Sequence, residues 1–122
     1  MTYMSTVAFL TSDLLFQSRV ASIASSGGLR LVADRTPEKL AAKLADDSDV
    51  QLVIVDLTLD LSDLAAAIDL LKMRCPQAMT VAYGPHVHEV KLQRAIDAGF
   101  DQVMTRGQFD RQMLSLLAGE LR

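Results

Sequence analysis

Two patterns of apolar residues alternate along this chain. Residues 6–11, 29–33, 52–55, 80–83 and 102–104 are short, dense in aliphatic side chains and without strict alternation. Runs of that kind suit strands covered on both faces, as in a parallel sheet. Between them the apolar residues recur every three or four positions, the spacing of a helix that buries one stripe.

The first helical pattern covers residues 13–26, with Leu15, Phe16, Val20, Ile23 and Ala24 on the stripe, and Gly27-Gly28 stop it. Thr36-Pro37 announce a second helix, a capping hydroxyl followed by proline at the first helical position, which runs to about residue 45. A third starts near Ser62 as its cap and ends by Cys75-Pro76, because the residue before proline disfavours the helical region. The fourth spans residues 87–98 and stops at Gly99. The fifth spans residues 109–121, with Phe109, Met113, Leu114 and Leu117 inward. Five strand–helix units with short connections predict one doubly wound α/β domain over residues 1–122, with right-handed crossovers and no output domain.

Composition narrows the function classes. Half of the residues are apolar and only 5% aromatic, so the core is aliphatic. The formal net charge is −3 with acids and bases interspersed, which argues against nucleic acid, since phosphate binding needs a clustered basic surface. No basic residue precedes the short apolar run at 7–10, no stretch approaches a membrane span, and the single Cys75 has no partner for a disulfide. A soluble cytoplasmic protein is expected, with Cys75 structural.

In open parallel sheets ligands bind beyond the carboxyl ends of the strands. The residues there are Thr11, Ser12 and Asp13 after the first strand and Asp56 and Thr58 after the third. Gly84, Pro85 and His86 follow the fourth, and Thr105, Arg106 and Gly107 the fifth. At these positions the chain resembles a CheY-like response-regulator receiver domain. Leu52-Val53-Ile54-Val55-Asp56-Leu57 is similar to the third strand and phosphoacceptor aspartate of that family. Ala98-Gly99-Phe100-Asp101 followed by Val103-Met104-Thr105-Arg106 resembles its Ala-Gly-Ala-Asp turn and the last strand leading to a lysine. Leu15-Phe16-Gln17-Ser18-Arg19 resembles the opening of its first helix. Thr11 lies 45 residues before Asp56, Gly84 lies 28 after it, and Arg106 lies 22 after Gly84, the family's own spacing. The resemblance implies a flavodoxin-like (βα)5 fold with strand order 2-1-3-4-5, and two helices on one face and three on the other.

It also implies a degenerate pocket. The acidic pair that holds magnesium in a working receiver falls on Thr11 and Ser12, and a hard cation wants anionic oxygens. Asp13, one residue later, is read as the cap of the first helix. Gly84 replaces the hydroxyl that contacts the phosphoryl group, Arg106 the lysine, Gly107 the proline after it, and Val103 the aromatic switch residue. Only Asp56 is retained in kind, and without a metal its charge is expected to pair with Arg106, whose planar fork suits a carboxylate. Magnesium binding is expected to be weak or absent, with no cofactor, no catalytic residue and no metal site.

Other candidates reduce to structural roles. His86 and His88 are two apart and lie on different helix faces. Asp60 and Asp63 beside the third helix read as favourable acids near an N-terminus ahead of a displaced cation site. The expectation is a stand-alone pseudo-receiver, an interaction module of two-component signal transduction that is not phosphorylated. Its partners would be a histidine kinase or output protein, or a second copy through helix four, strand five and helix five. The alternatives are a working receiver that takes phosphate from a histidine kinase on Asp56, and a flavodoxin-like binder of a small ligand.

Overall fold

The five apolar runs pair into one parallel sheet. In the computed structural model, which describes residues 5–120, the strands are β1 (Ser5–Leu10), β2 (Leu29–Asp34), β3 (Val50–Asp56), β4 (Met79–Gly84) and β5 (Gln102–Thr105). Their order is β2-β1-β3-β4-β5, as the alternation and the resemblance predict. The register sets Leu10 beside Asp34 and Val55, Asp56 beside Tyr83, and Gly84 beside Thr105. All the strand ends singled out above therefore meet at one edge of the sheet.

Helices α1 (Leu14–Ser26) and α5 (Arg106–Leu117) cover one face; α2 (Pro37–Lys43), α3 (Leu64–Arg74) and α4 (Glu89–Ala98) cover the other. Because successive strand residues point to opposite faces, the sheet contributes to two cores. Ala8, Val53, Val55 and Ala82 meet Leu40, Ile68, Leu71 and Ala95 on the three-helix side. Phe9, Ile54, Val81 and Tyr83 meet Phe16, Val20, Phe109 and Met113 on the two-helix side.

The sequence reading needs correction at several element ends. Helix α3 is capped by Asp63, which accepts from the Ala66 amide at 2.9 Å, and not by Ser62. Helix α5 starts three residues earlier than predicted, at Arg106, because Thr105 forms a capping box with Gln108 that satisfies two backbone donors. The helix ends at Leu117, with Ala118 as its C-cap, short of the end predicted at residue 121, which itself lies outside the described residues. Helix α4 starts at Glu89, not Val87. Leu15 and Leu114 are 65% and 67% exposed, so neither is on a buried stripe; Leu116 takes the inward place on α5. Gly99 ends α4 with φ 94°, a conformation that other residues adopt only with strain. Cys75 is buried at the end of α3, where burial raises its thiol pKa, as a structural cysteine should show. Among the described residues no helix is long and apolar enough to cross a membrane.

Candidate functional site

Strand β3 carries Asp56 to the carboxyl edge, where it is fully buried. Both carboxylate oxygens are engaged. Oδ2 accepts from the Thr11 hydroxyl at 2.9 Å, and Oδ1 accepts from the Thr58 amide at 2.9 Å and the Thr58 hydroxyl at 2.7 Å. A buried carboxylate survives without a cation when several donors replace its hydration. Thr11, itself 1% exposed, is fixed from both sides, since its hydroxyl also accepts from the Asp13 amide at 2.9 Å. Ser12 is exposed.

Asp13 caps α1 as the sequence suggests, with Oδ1 accepting from the Phe16 amide at 3.1 Å. Its Oδ2 takes the guanidinium of Arg106 at 2.9 Å. The expected Asp56–Arg106 pair is therefore replaced by an Asp13–Arg106 pair. The reason is physical: Thr11 and Thr58 already use the Asp56 oxygens, and reaching them would bury a guanidinium that now stays 42% exposed. Arg106 also lies over the Phe16 ring, 4.3 Å from its centroid, a cation–π contact available only in this orientation.

Under this layer sits an aromatic cluster that sequence reasoning missed. Tyr83 stacks on Phe109 at 4.2 Å between centroids, and Phe9 and Phe16 close around the pair. Its hydroxyl is buried beside Thr11 and finds no hydrogen-bond partner among the described residues, while the Thr11 hydroxyl is turned to Asp56 and Asp13. Burial foremost, then the Asp56 carboxylate, push the tyrosine ionisation far above its ordinary range; Asp13 adds to this, while Thr11 and Arg106 oppose it. The signal in the sequence was an aromatic residue just before Gly84.

Gly84 has a packing role. A Cβ there would stand 3.2 Å from the Leu57 Cβ, so a side chain at this position requires Leu57, which is buried in the three-helix core, to give way by a few tenths of an ångström. Val103, opposite Ala82 on β5, is half-buried and packs on the same core. Arg106 and Gly107 form the first turn of α5.

The oxygens nearest the aligned cation position are the hydroxyl of Thr11 and the carboxylates of Asp13 and Asp56, and every one already has a partner. A hard divalent cation would have to displace the Thr11 and Thr58 donors from Asp56 and the Arg106 guanidinium from Asp13. The residues do not fit magnesium, and among the described residues no group of three His, Cys, Asp or Glu could hold a metal. Asp63 caps α3, Asp60 is exposed, and His86 and His88 are exposed ahead of α4.

No family model and no curated protein matches the chain. Solved structures do. The receiver domain of the response regulator TorR superposes with a TM-score of 0.79 at 14% identity, over 96% of each chain. A response regulator from Thermotoga maritima gives 0.75 at 13%, over 99% of this chain and 98% of that one. CheY6 in complex with the P1 domain of CheA3 from R. sphaeroides gives a structure with 0.69 at 19%, over 95% and 98%. The chain thus has the fold of a CheY-like response-regulator receiver domain, over its whole described length.

Proposed function

We propose that the chain is a receiver-fold interaction module of two-component-type signalling in which Asp56 is a structural anchor and not a phosphoacceptor. The observation that carries the reading is the saturation of Asp56: fully buried, it accepts three hydrogen bonds from Thr11 and Thr58. Phosphoryl transfer to a carboxylate needs an exposed oxygen and cations to neutralise developing charge. Here a hydroxyl stands where the metal-binding acids would be, Leu57 fills the space beside Gly84, and the one nearby cation is turned to Asp13.

The partner class we assign is a signalling protein, such as a histidine kinase or an output protein, in keeping with the neighbour solved with the P1 domain of CheA3. The face we assign is α4, β5 and α5, where a second copy is an alternative occupant. Strand β5 is an edge strand, and edges invite pairing unless covered. Arg94 and Arg111 are exposed on this face, whereas Asp110 is drawn to Arg19 on α1 and Gln93 to Asp97 within α4.

Acetyl phosphate with millimolar magnesium, followed by intact-mass measurement, tests the first part: the mass is expected to stay unchanged. Substantial aspartyl phosphate on Asp56 would establish a working receiver instead. For the surface, Arg111→Glu should weaken any dimer seen by sedimentation. A strict monomer whose partner binding survives that reversal would exclude this face.

A further inference from the structure

The loop that follows Asp56 carries an apolar alternation of which only Leu57 touches the pocket just described. Leu57, Leu59, Leu61 and Leu64 line a cavity of about 120 Å³ between this loop and α4, with Asp60, Lys91 and Arg94 completing its wall. Leu57 is buried and the other three are half-buried against the three-helix core. The loop is held in place by the site itself, since Thr58 is bound to Asp56 through both its amide and its hydroxyl.

The wall facing the leucines is basic. Lys91 and Arg94 are one helical turn apart on α4, and neither joins any of the four ion pairs found among the described residues. With Asp60 as the only carboxylate in the lining, the groove is locally positive in a chain whose formal net charge is −3. Val90, one turn before Arg94 on α4, is 64% exposed, and Val87 just ahead of the helix is 70% exposed. A cavity of this size falls below the roughly 300–1,000 Å³ of small-molecule sites, so it suits a single anchoring side chain.

We propose that this groove docks an acidic segment of a partner protein, seating one leucine-sized side chain on Leu59, Leu61 and Leu64 and placing the flanking carboxylates against Lys91 and Arg94. Apolar anchoring gives the affinity and the two cations give orientation and steering. No α5 residue lines the groove, so the assignment holds whether or not α5 takes part in docking.

The test uses the full chain with methyl-labelled leucine and a capped pentapeptide in which a central leucine is flanked on each side by two acidic residues. Methyl shifts at Leu59, Leu61 and Leu64 are expected on titration. The same peptide with alanine at its centre, or with lysines in place of its acids, should give none. Lys91→Glu with Arg94→Glu should weaken binding about tenfold or more, near 1.4 kcal/mol. Arg111→Glu should leave it within about twofold, which separates the groove from the α4–β5–α5 face. Absence of shifts at millimolar peptide, or shifts unaltered by both charge reversals, would overturn the proposal. So would the same shifts on raising protein concentration alone, which would make a second copy the occupant.

Discussion

Asp56 is a fully buried carboxylate that accepts three hydrogen bonds, and its surroundings decide what substitution does. At Asp56, alanine would leave the Thr11 hydroxyl and the Thr58 amide without acceptors, a cost of about 3 kcal/mol. Asparagine keeps an acceptor for Thr58 and removes a buried charge, so a loss of about 1 kcal/mol is expected; urea unfolding of both variants checks the ranking. Tyr83→Phe removes a hydroxyl that has no partner and should be neutral or stabilising by about 1 kcal/mol. The same tyrosine makes stability fall in alkali. Its folded ionisation lies above the unfolded value of 10.0, so the neutral form is favoured by the fold. That contribution is intact below pH 10 and is lost as the pH climbs beyond it. Thermal midpoints between pH 9 and 11 should therefore drop less in Tyr83→Phe than in the parent. The positions of Thr11, Asp56, Gly84 and Arg106 were legible in the sequence from spacing and resemblance. The choice of Asp13 over Asp56 by Arg106 was not, because a long side chain's direction depends on the ring of Phe16 and on which oxygens are already occupied.

The elements show the same division between what pattern encodes and what packing adds. Dense aliphatic runs located all five strands, since a strand covered on both faces has little tolerance for polar residues. Helix starts were harder. Arg106-Gly107 reads as a continuing loop, yet Thr105 and Gln108 have the spacing of a capping box, and the helix begins there. Thr105→Ala should cost about 1 kcal/mol, read as a lower urea midpoint at unchanged slope. At Gly84 the missing side chain is part of the packing between β4 and the loop after β3. Gly84→Thr must push Leu57 aside from 3.2 Å and should cost about 1–3 kcal/mol by overpacking. A stability gain in that variant would mean that the loop yields easily and that the pocket is open to a hydroxyl. The exposure of Leu15 and Leu114 was not readable from periodicity, because the stripe of a short helix is set by how it sits on the sheet.

At the scale of the whole molecule, the sheet order and the meeting of strand ends are those of the receiver fold. At that meeting Thr11 and Thr58 donate to Asp56, and Asp13 with Phe16 holds Arg106. Two-dimensional amide spectra with millimolar magnesium and beryllofluoride test the proposal that this edge takes no part in phosphoryl chemistry. The parent should show no site-specific shifts at Thr11, Asp56, Thr58 or Arg106, whereas Thr11→Asp with Ser12→Asp should gain magnesium-dependent shifts at those positions if the register is right. Saturable beryllofluoride shifts centred on Asp56 in the parent would contradict the account.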